Sequence, residues 1–569
     1  MKRIVLLLLL LTFYVTTYAQ LSTREPPVSF IQKVKGKRSI ATITMPFLDM
    51  KKIEAEDKED GEWGMPPRFG YMHQVNYNLN NSGTWTKLSN GDKLWRLKVV
   101  CPGALSVNFL YDKFWLPEGG KFFVYSVDKK HQIGAFTSRN NKGDKENVRG
   151  FATGLVYGSE AVLEYYQPKE VVDDAIISIS FVVHGYRYIR IGNRDYGDSN
   201  GCLTNVNCFE GQNWQNEKRA IALILVGGHR VCTGSLINST ANDQKPLLLT
   251  ANHCLIGDGN HLTPDAQTAP NVDYYSFYWN YEEPGCYYFG PEPDTLSTHG
   301  ATVLANYSFS NRAFDFALLR LIEDPKNLSG FTPYYLGWDK SGNSGGAGVC
   351  IHHPQGDVKK ISTVDSIPQS STYFDYLGTE NSHWKLKWKS TINRLGITKD
   401  GSSGSPLLNS EHKVIGQLHD GTKSCIYPNE YNYFGKLNYS WIPHDTCSVY
   451  RRLDCWVDSI GTGQLVIKGL QIIQEDDTLT LDMIRYSNIR IKNGSTLTIL
   501  NNIALVESST IIVESGGTLI VDGGTISNVN IDMKVGSTLR VINNGKFETQ
   551  NGFVAPIGAI VSVDYGQIL

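Results

Sequence analysis

The chain has almost no charge imbalance, no long apolar run beyond its first residues, and little helical periodicity. Across 569 residues, 54 lysines and arginines face 56 aspartates and glutamates, for a formal net charge of −2. A balance so close to zero exerts no bulk pull toward nucleic acid or an anionic membrane, so neither partner is expected. Beyond the N-terminal stretch no segment is long and apolar enough to cross a bilayer, and no transmembrane anchor is expected. Metal patterns are scarce as well. Paired Cys-x-x-Cys knuckles and a His-Glu-x-x-His helix are both missing, and His352 and His353, adjacent on a strand, would point to opposite faces. No metal and no cofactor is expected.

What is present begins with Lys2-Arg3, an apolar run from Ile4 to Leu11 and the small-residue ending Thr17-Tyr18-Ala19. These are the three parts of a secretory signal peptide over residues 1–19, with cleavage before Gln20, so the mature protein is expected to be secreted. Ten cysteines in an exported chain suggest disulfides, and nine of them fall between Cys202 and Cys455. Spacing alone does not give their pairing.

The length suggests several domains. Residues 20–197 alternate short β-type runs such as Trp95 to Val100 and Ile177 to Val182 with Gly, Asn and Asp turns, which favours a β-sandwich. The polar stretch from Arg194 to Gly201 reads as an exposed linker open to a processing protease. Residues 198–459 read as paired antiparallel barrels with one helix near Val449 to Val457. Residues 460–569 carry Gly494-Ser495-Thr496-Leu497, Gly517-Thr518-Leu519, Gly536-Ser537-Thr538-Leu539 and Gly558-Ala559-Ile560. That spacing of about twenty to twenty-two residues suits a small β-solenoid, with a sandwich as the alternative. Its polar faces read most simply as solvated surface, and a surface or carbohydrate partner is the other reading.

Three segments of the middle region carry chemistry. Thr250-Ala251-Asn252-His253-Cys254 follows the buried run Leu247-Leu248-Leu249, Asp315 sits in the apolar run Phe314 to Leu319, and Gly401-Ser402-Ser403-Gly404-Ser405-Pro406 lies between strand-like runs. A serine hydroxyl is a weak nucleophile at neutral pH. It needs an imidazole to take its proton and a carboxylate to hold that imidazole in one tautomer. Ser403, His253 and Asp315 are the candidates for these roles. Gly401 permits the sharp turn that aims the amides of Gly401 and Ser403 at a developing oxyanion. A carboxylate in an apolar strand calls for a partner, which His253 would supply. Taken alone, Gly-Ser-Ser-Gly-Ser reads as a flexible turn, but its flanking strands argue against a linker.

These strings resemble the lysyl endopeptidase branch of the trypsin-like serine proteases. The resemblance is carried by Cys232-Thr233-Gly234-Ser235-Leu236-Ile237-Asn238, the phrase ending in His253-Cys254, Tyr278-Trp279-Asn280-Tyr281, Gly300-Ala301-Thr302-Val303, Phe314-Asp315-Phe316, His352-His353-Pro354 and Gly416-Gln417-Leu418-His419. It implies a two-barrel chymotrypsin-like domain with its site in the cleft between barrels, and protein or peptide substrates. By position it also implies disulfides Cys202–Cys425, Cys208–Cys286 and Cys232–Cys254, leaving Cys101, Cys350, Cys447 and Cys455 unassigned. Trp95-Arg96-Leu97, Pro102 to Ser106 and His184 to Arg187 are similar to the pro-region of such enzymes, which implies a zymogen. The whole is then all-β, with a β-sandwich pro-region, a two-barrel protease domain and a β-repeat module.

One position departs from the family. The aspartate that pairs with a substrate lysine would fall at Asn432 in Asn432-Tyr433-Phe434-Gly435-Lys436, and an amide carries no net charge. Strict lysine preference is therefore not expected. Six residues before Ser403, where trypsin keeps its pocket acid, stands Ile397, and His419 is a further pocket candidate. Asp420 and Glu430 read as exposed loop charge. The competing functions are an adhesive or ligand-binding β-protein with an inert protease-like domain, and an esterase.

Overall fold

Apolar residues recur at every second position of Lys93–Val100, so one face of that strand needs covering. In the computed structural model this cover is a second sheet. The structure describes residues 25–32, 40–187, 189, 202–255, 270–287, 296–307, 314–374, 379–421, 425, 430–443, 448–479, 483–505 and 509–569. The expected signal peptide and the whole of the Arg194–Gly201 linker lie outside these residues, as does Cys447.

The N-terminal region is a β-sandwich of a six-stranded and a five-stranded sheet. Trp95, Leu97, Phe109, Phe114, Phe122 and Leu163 fill the space between them. A helix at Met50–Glu62, not expected from the sequence, is inserted before the strand Gly70–Asn78. Asp49 caps it by accepting a hydrogen bond from the Lys52 amide. Of its thirteen residues only Ile53 and Asp60 are buried, so it has no apolar stripe to betray it.

The middle region is two mainly antiparallel sheets, as expected of paired barrels, the second with one parallel pair between Gly337–Asp339 and Lys413–Asp420. The first has seven strands, including Ile221–Val226, Arg230–Leu236, Leu247–Ala251 and Phe316–Leu321. The second has ten, including Val349–His352, Pro406–Leu408, Lys413–Asp420 and Asn432–Lys436. Strand Ile221–Val226 is buried at every position. Its outer residues Leu223 and Leu225 pack with Phe69, Leu155 and Val231, so the N-terminal sandwich covers this barrel face. The single helix expected near Val449 to Val457 is instead a 3-10 turn at Val449–Arg451 and a short helix at Asp454–Val457.

The C-terminal region is a parallel β-solenoid. Thr496–Ile499, Thr518–Asp522, Thr538–Ile542 and Ile560–Asp564 stack in register, with Leu497 beside Leu519 and Leu519 beside Leu539. In the last coil Val561, one residue beyond the expected Ile560, aligns with Leu539. The sandwich alternative for this region is thereby removed. Strand Tyr334–Tyr335 pairs with Gly469–Ile473, which joins the solenoid to the middle region by backbone hydrogen bonds.

Among the described residues three disulfides are formed, Cys202–Cys425, Cys208–Cys286 and Cys232–Cys254. The first closes a loop of 223 residues, the kind of cross-link that removes most entropy from an unfolded chain. Cys101, Cys350 and Cys455 are free thiols.

Candidate active site

His253 lies in a 3-10 turn, Asn252–Cys254, that follows strand Leu247–Ala251. The Cys232–Cys254 disulfide ties this turn to the neighbouring strand. Its ring Nδ1 is 2.6 Å from Asp315 Oδ2, and its backbone N–H donates to Asp315 Oδ1 at 2.9 Å. Both carboxylate oxygens are therefore committed to one residue. Asp315 is buried and has φ 51°, in the left-handed region where aspartate and asparagine are among the better tolerated side chains. Its own carbonyl accepts the Asn252 amide at 3.0 Å, which holds the two segments together.

Ser403 shares a cavity of about 220 Å³ with His253 and Asp315. Two glycines shape the loop around it. Gly401 has φ 87°, and Gly404 has φ 82° with room for no side chain, since a Cβ there would sit 2.1 Å from Thr250 Oγ1. The loop is fixed from both sides: Thr233 N–H donates to Ser403 O and Thr233 Oγ1 to Gly401 O, both at 2.9 Å. Behind it, His352 Nδ1 meets Ser402 Oγ at 2.7 Å and His352 Nε2 meets Ser362 Oγ at 2.9 Å. Among the described residues neither the Gly401 nor the Ser403 N–H has a protein acceptor. Two unspent amide donors beside a serine hydroxyl are the requirement for stabilising an oxyanion.

His419 extends the arrangement beyond the three residues. Its Nε2 lies 3.7 Å from Asp315 Oδ2, and its Nδ1 meets His383 Nε2 at 2.9 Å. Tyr373 stacks on the His419 ring at 4.2 Å between centroids, and its hydroxyl donates to Asp420 Oδ2 at 2.9 Å. Burial pushes the His383 imidazole down to about 3, and nearby Lys436 adds to this, so it remains neutral. A neutral His383 can hold His419 in one orientation. Tyr373 and His383 lie in no motif, and only the fold brings them to the site.

The pocket candidates divide. Asn432 is fully buried and its Oδ1 accepts from Thr398 Oγ1 at 2.8 Å, directly behind the cleft-lining residues Thr398 and Gly421. Ile397 does not line the cleft; it packs in the core with Trp384, Leu407 and Phe434. Glu430 is exposed, as expected. Asp420 corrects the expectation of an exposed charge, because it is half-buried and forms part of the cleft wall. His352 and His353 are both buried, and His353 Nδ1 faces the Asp357 carbonyl at 2.9 Å. No motif marks Gly61, Glu62, Trp63, Gly64, Met65 and Pro67, which line the other side of the same cleft.

The model of the lysyl endopeptidase C-terminal domain family matches residues 196–435. A lysyl endopeptidase of Pseudomonas aeruginosa is 27% identical over 256 residues, which is 42% of this chain. The chain spans about half the length of that curated relative, 49%. Among solved structures, a Glu endopeptidase aligns at 18% identity and a TM-score of 0.25, covering 38% of this chain and 85% of that one. A thermostable serine protease from an extremophilic microorganism aligns at 14% identity and a TM-score of 0.25, covering 39% and 92%. Over residues 196–435 this chain is thus similar to the lysyl endopeptidases, a branch of the trypsin-like serine proteases.

Proposed function

We propose that the protein is a secreted serine endopeptidase, made as a zymogen, that cleaves peptide bonds through an acyl-enzyme on Ser403. The observation that carries the reading is the His253–Asp315 pair lining one cleft with Ser403, with both carboxylate oxygens bound to the histidine. In this reading His253 takes the proton of the Ser403 hydroxyl as it attacks the scissile carbonyl, and Asp315 stabilises the imidazolium that forms. The Gly401 and Ser403 amides hold the oxyanion. The tetrahedral intermediate then collapses as His253 returns its proton to the leaving amine, and water repeats the cycle on the acyl-enzyme.

Support for latency comes from the other wall of the cleft. Residues Gly61 to Met65 belong to the N-terminal sandwich, so a substrate reaches Ser403 only after that domain moves. A fluorophosphonate probe tests both statements. It should label the full chain slowly, label it rapidly after cleavage in the Arg194–Gly201 stretch, and fail to label Ser403→Ala in either form. Equal labelling of Ser403→Ala would remove the nucleophile assignment, and equal labelling before and after cleavage would remove the latency.

Specificity before the scissile bond follows from Asn432. An amide behind Thr398 and Gly421 gives no net charge to pair with a substrate lysine. Asn432→Asp keeps the Thr398 hydrogen bond and adds a charge, so it should raise the preference for lysine over neutral residues by about tenfold or more. Cleavage profiling on a mixed peptide library reads this directly, and an unchanged profile would remove Asn432 from the pocket.

A further inference from the structure

We propose that Arg230 is a specificity residue of the substrate groove, reading an acidic side chain in the part of the substrate that follows the scissile bond. The proposal rests on the serine-endopeptidase reading above and adds a determinant to it.

The groove is defined by a strand edge beside the nucleophile that the barrel's own strands do not cover and the N-terminal domain does. Strand Arg230–Leu236 pairs through Arg230 and Val231 with Val226 and Leu225 on one side. Its other neighbour, Leu247–Ala251, reaches only Ser235 and Leu236. Among the described residues no further barrel strand pairs with the remaining edge at residues 229–231, which is where a chain from outside the barrel can add. Three residues along the same strand, Thr233 is hydrogen-bonded to Ser403 and Gly401. This edge thus begins at the candidate nucleophile and leads away from it.

The N-terminal domain uses that edge as a peptide would. Arg68 forms an antiparallel bridge with Arg230, the Val231 N–H donates to Pro67 O at 3.1 Å, and the Phe69 N–H donates to His229 O at 2.9 Å. Residues 61–65 and Pro67 line the cleft with Ser403, while Phe69 lies at the far end beside His229. The chain therefore runs outward from the nucleophile in its N-to-C direction. A substrate laid on this edge in the same direction would place there the residues after its scissile bond, and strand addition of this kind supplies affinity through main-chain bonds and leaves specificity to the side chains.

Arg230 is the side chain in that groove with a charge to read. It is fully buried, with Nη2 donating to Asp60 Oδ2 at 2.7 Å and Nη1 donating to Pro66 O at 2.8 Å. Both partners belong to the N-terminal domain. Two guanidiniums placed opposite one another across a strand pair repel, and here Glu56, Asp57 and Asp60 surround Arg68 to offset this. When that domain leaves, Arg68 and the three carboxylates leave with it, and Arg230 stays on a strand held in place by the barrel. A substrate carboxylate beside it restores the charge-assisted hydrogen bond that Asp60 had made.

The test starts from the full chain, matured by cleavage in the Arg194–Gly201 stretch. Peptides identical up to the scissile bond carry glutamate, alanine or lysine at each of the next four positions. Wild type should favour glutamate over lysine by about tenfold in kcat/KM at one of these positions, Arg230→Gln should bring that ratio near one, and Arg230→Glu should invert it. Fluorophosphonate labelling of the same wild-type preparation separates two failures. No label and no cleavage would overturn the serine-endopeptidase reading. Labelled wild type with a glutamate-to-lysine ratio near one at all four positions would overturn the role of Arg230, as would a preference that survives Arg230→Glu. The wild-type ratio decides even if a variant does not fold.

Discussion

Asp315→Asn is expected to lower kcat by about four orders of magnitude while leaving the fold intact, because the amide presents a hydrogen-bond donor where His253 Nδ1–H needs an acceptor. In the native arrangement Asp315 Oδ2 faces Nδ1 and Oδ1 accepts the His253 backbone N–H. An asparagine can keep one of these bonds and must break or invert the other, which selects the wrong imidazole tautomer. The asparagine variant also isolates the electrostatics. Asp315 has φ 51°, and an alanine there would add backbone strain to the loss of the carboxylate. Single-turnover acylation of the matured enzyme, with circular dichroism as the check on folding, measures the effect. A loss of less than about tenfold in a folded variant would show that His253 does not depend on Asp315. His419 and Tyr373 sit on the far side of the same carboxylate, so removing the His419 ring should cost far less than removing Asp315.

Acidification from pH 7 to pH 5 is expected to lower the melting temperature by about 10 °C or more. Burial pushes His299, His352 and His383 down to about 3, and nearby lysines add to the effect. His184 is pushed down to about 4, again by burial first, with His73 adding to it. These rings stay neutral in the folded protein, whereas the unfolded chain protonates them near pH 6.5. As pH falls below that value the unfolded state binds protons that the folded state refuses, so stability is complete above about pH 6.5 and declines toward pH 3. Each of the three most shifted rings contributes about 2 kcal/mol of this loss by pH 5, a large share of the stability of an ordinary domain. Burial away from water, with Lys360 nearby, is why the native state refuses the proton at His352. His352 already uses both ring nitrogens with Ser402 and Ser362, in a buried site with no carboxylate among these partners. Thermal scans at the two pH values decide the matter, and superimposable transitions would mean that these imidazoles ionise in place. The loss is relevant to catalysis because Ser402 precedes the candidate nucleophile.

Some of this was legible before the fold. Flanks mark His253 and Asp315 because buried strands opening into a loop, and a carboxylate in an apolar run, are local patterns. Glycine spacing marks the solenoid for the same reason, since each coil repeats one local unit. The helix Met50–Glu62 was not legible, as its sequence has one buried apolar residue and no stripe. Ile397 and Asp420 were misplaced because neighbouring residues of a strand or extended segment can face core and cleft in turn, and sequence position alone does not fix which is which. Thr398, not its neighbour Ile397, lines the cleft.

By itself the sequence determined a β-rich chain of three regions, a serine, a histidine and an aspartate set in catalytic-looking surroundings, and an amide where the family has a pocket acid. All of these depend on periodicity and short motifs, which are properties of neighbouring residues. The tertiary structure alone decided that Asp60 pairs with Arg230, that residues 61–65 and Pro67 line the cleft of Ser403, and that Tyr373 and His383 brace His419. Such contacts join residues tens to hundreds of positions apart, and their energy comes from burying charge and ring together, which leaves no trace in the spacing of the chain.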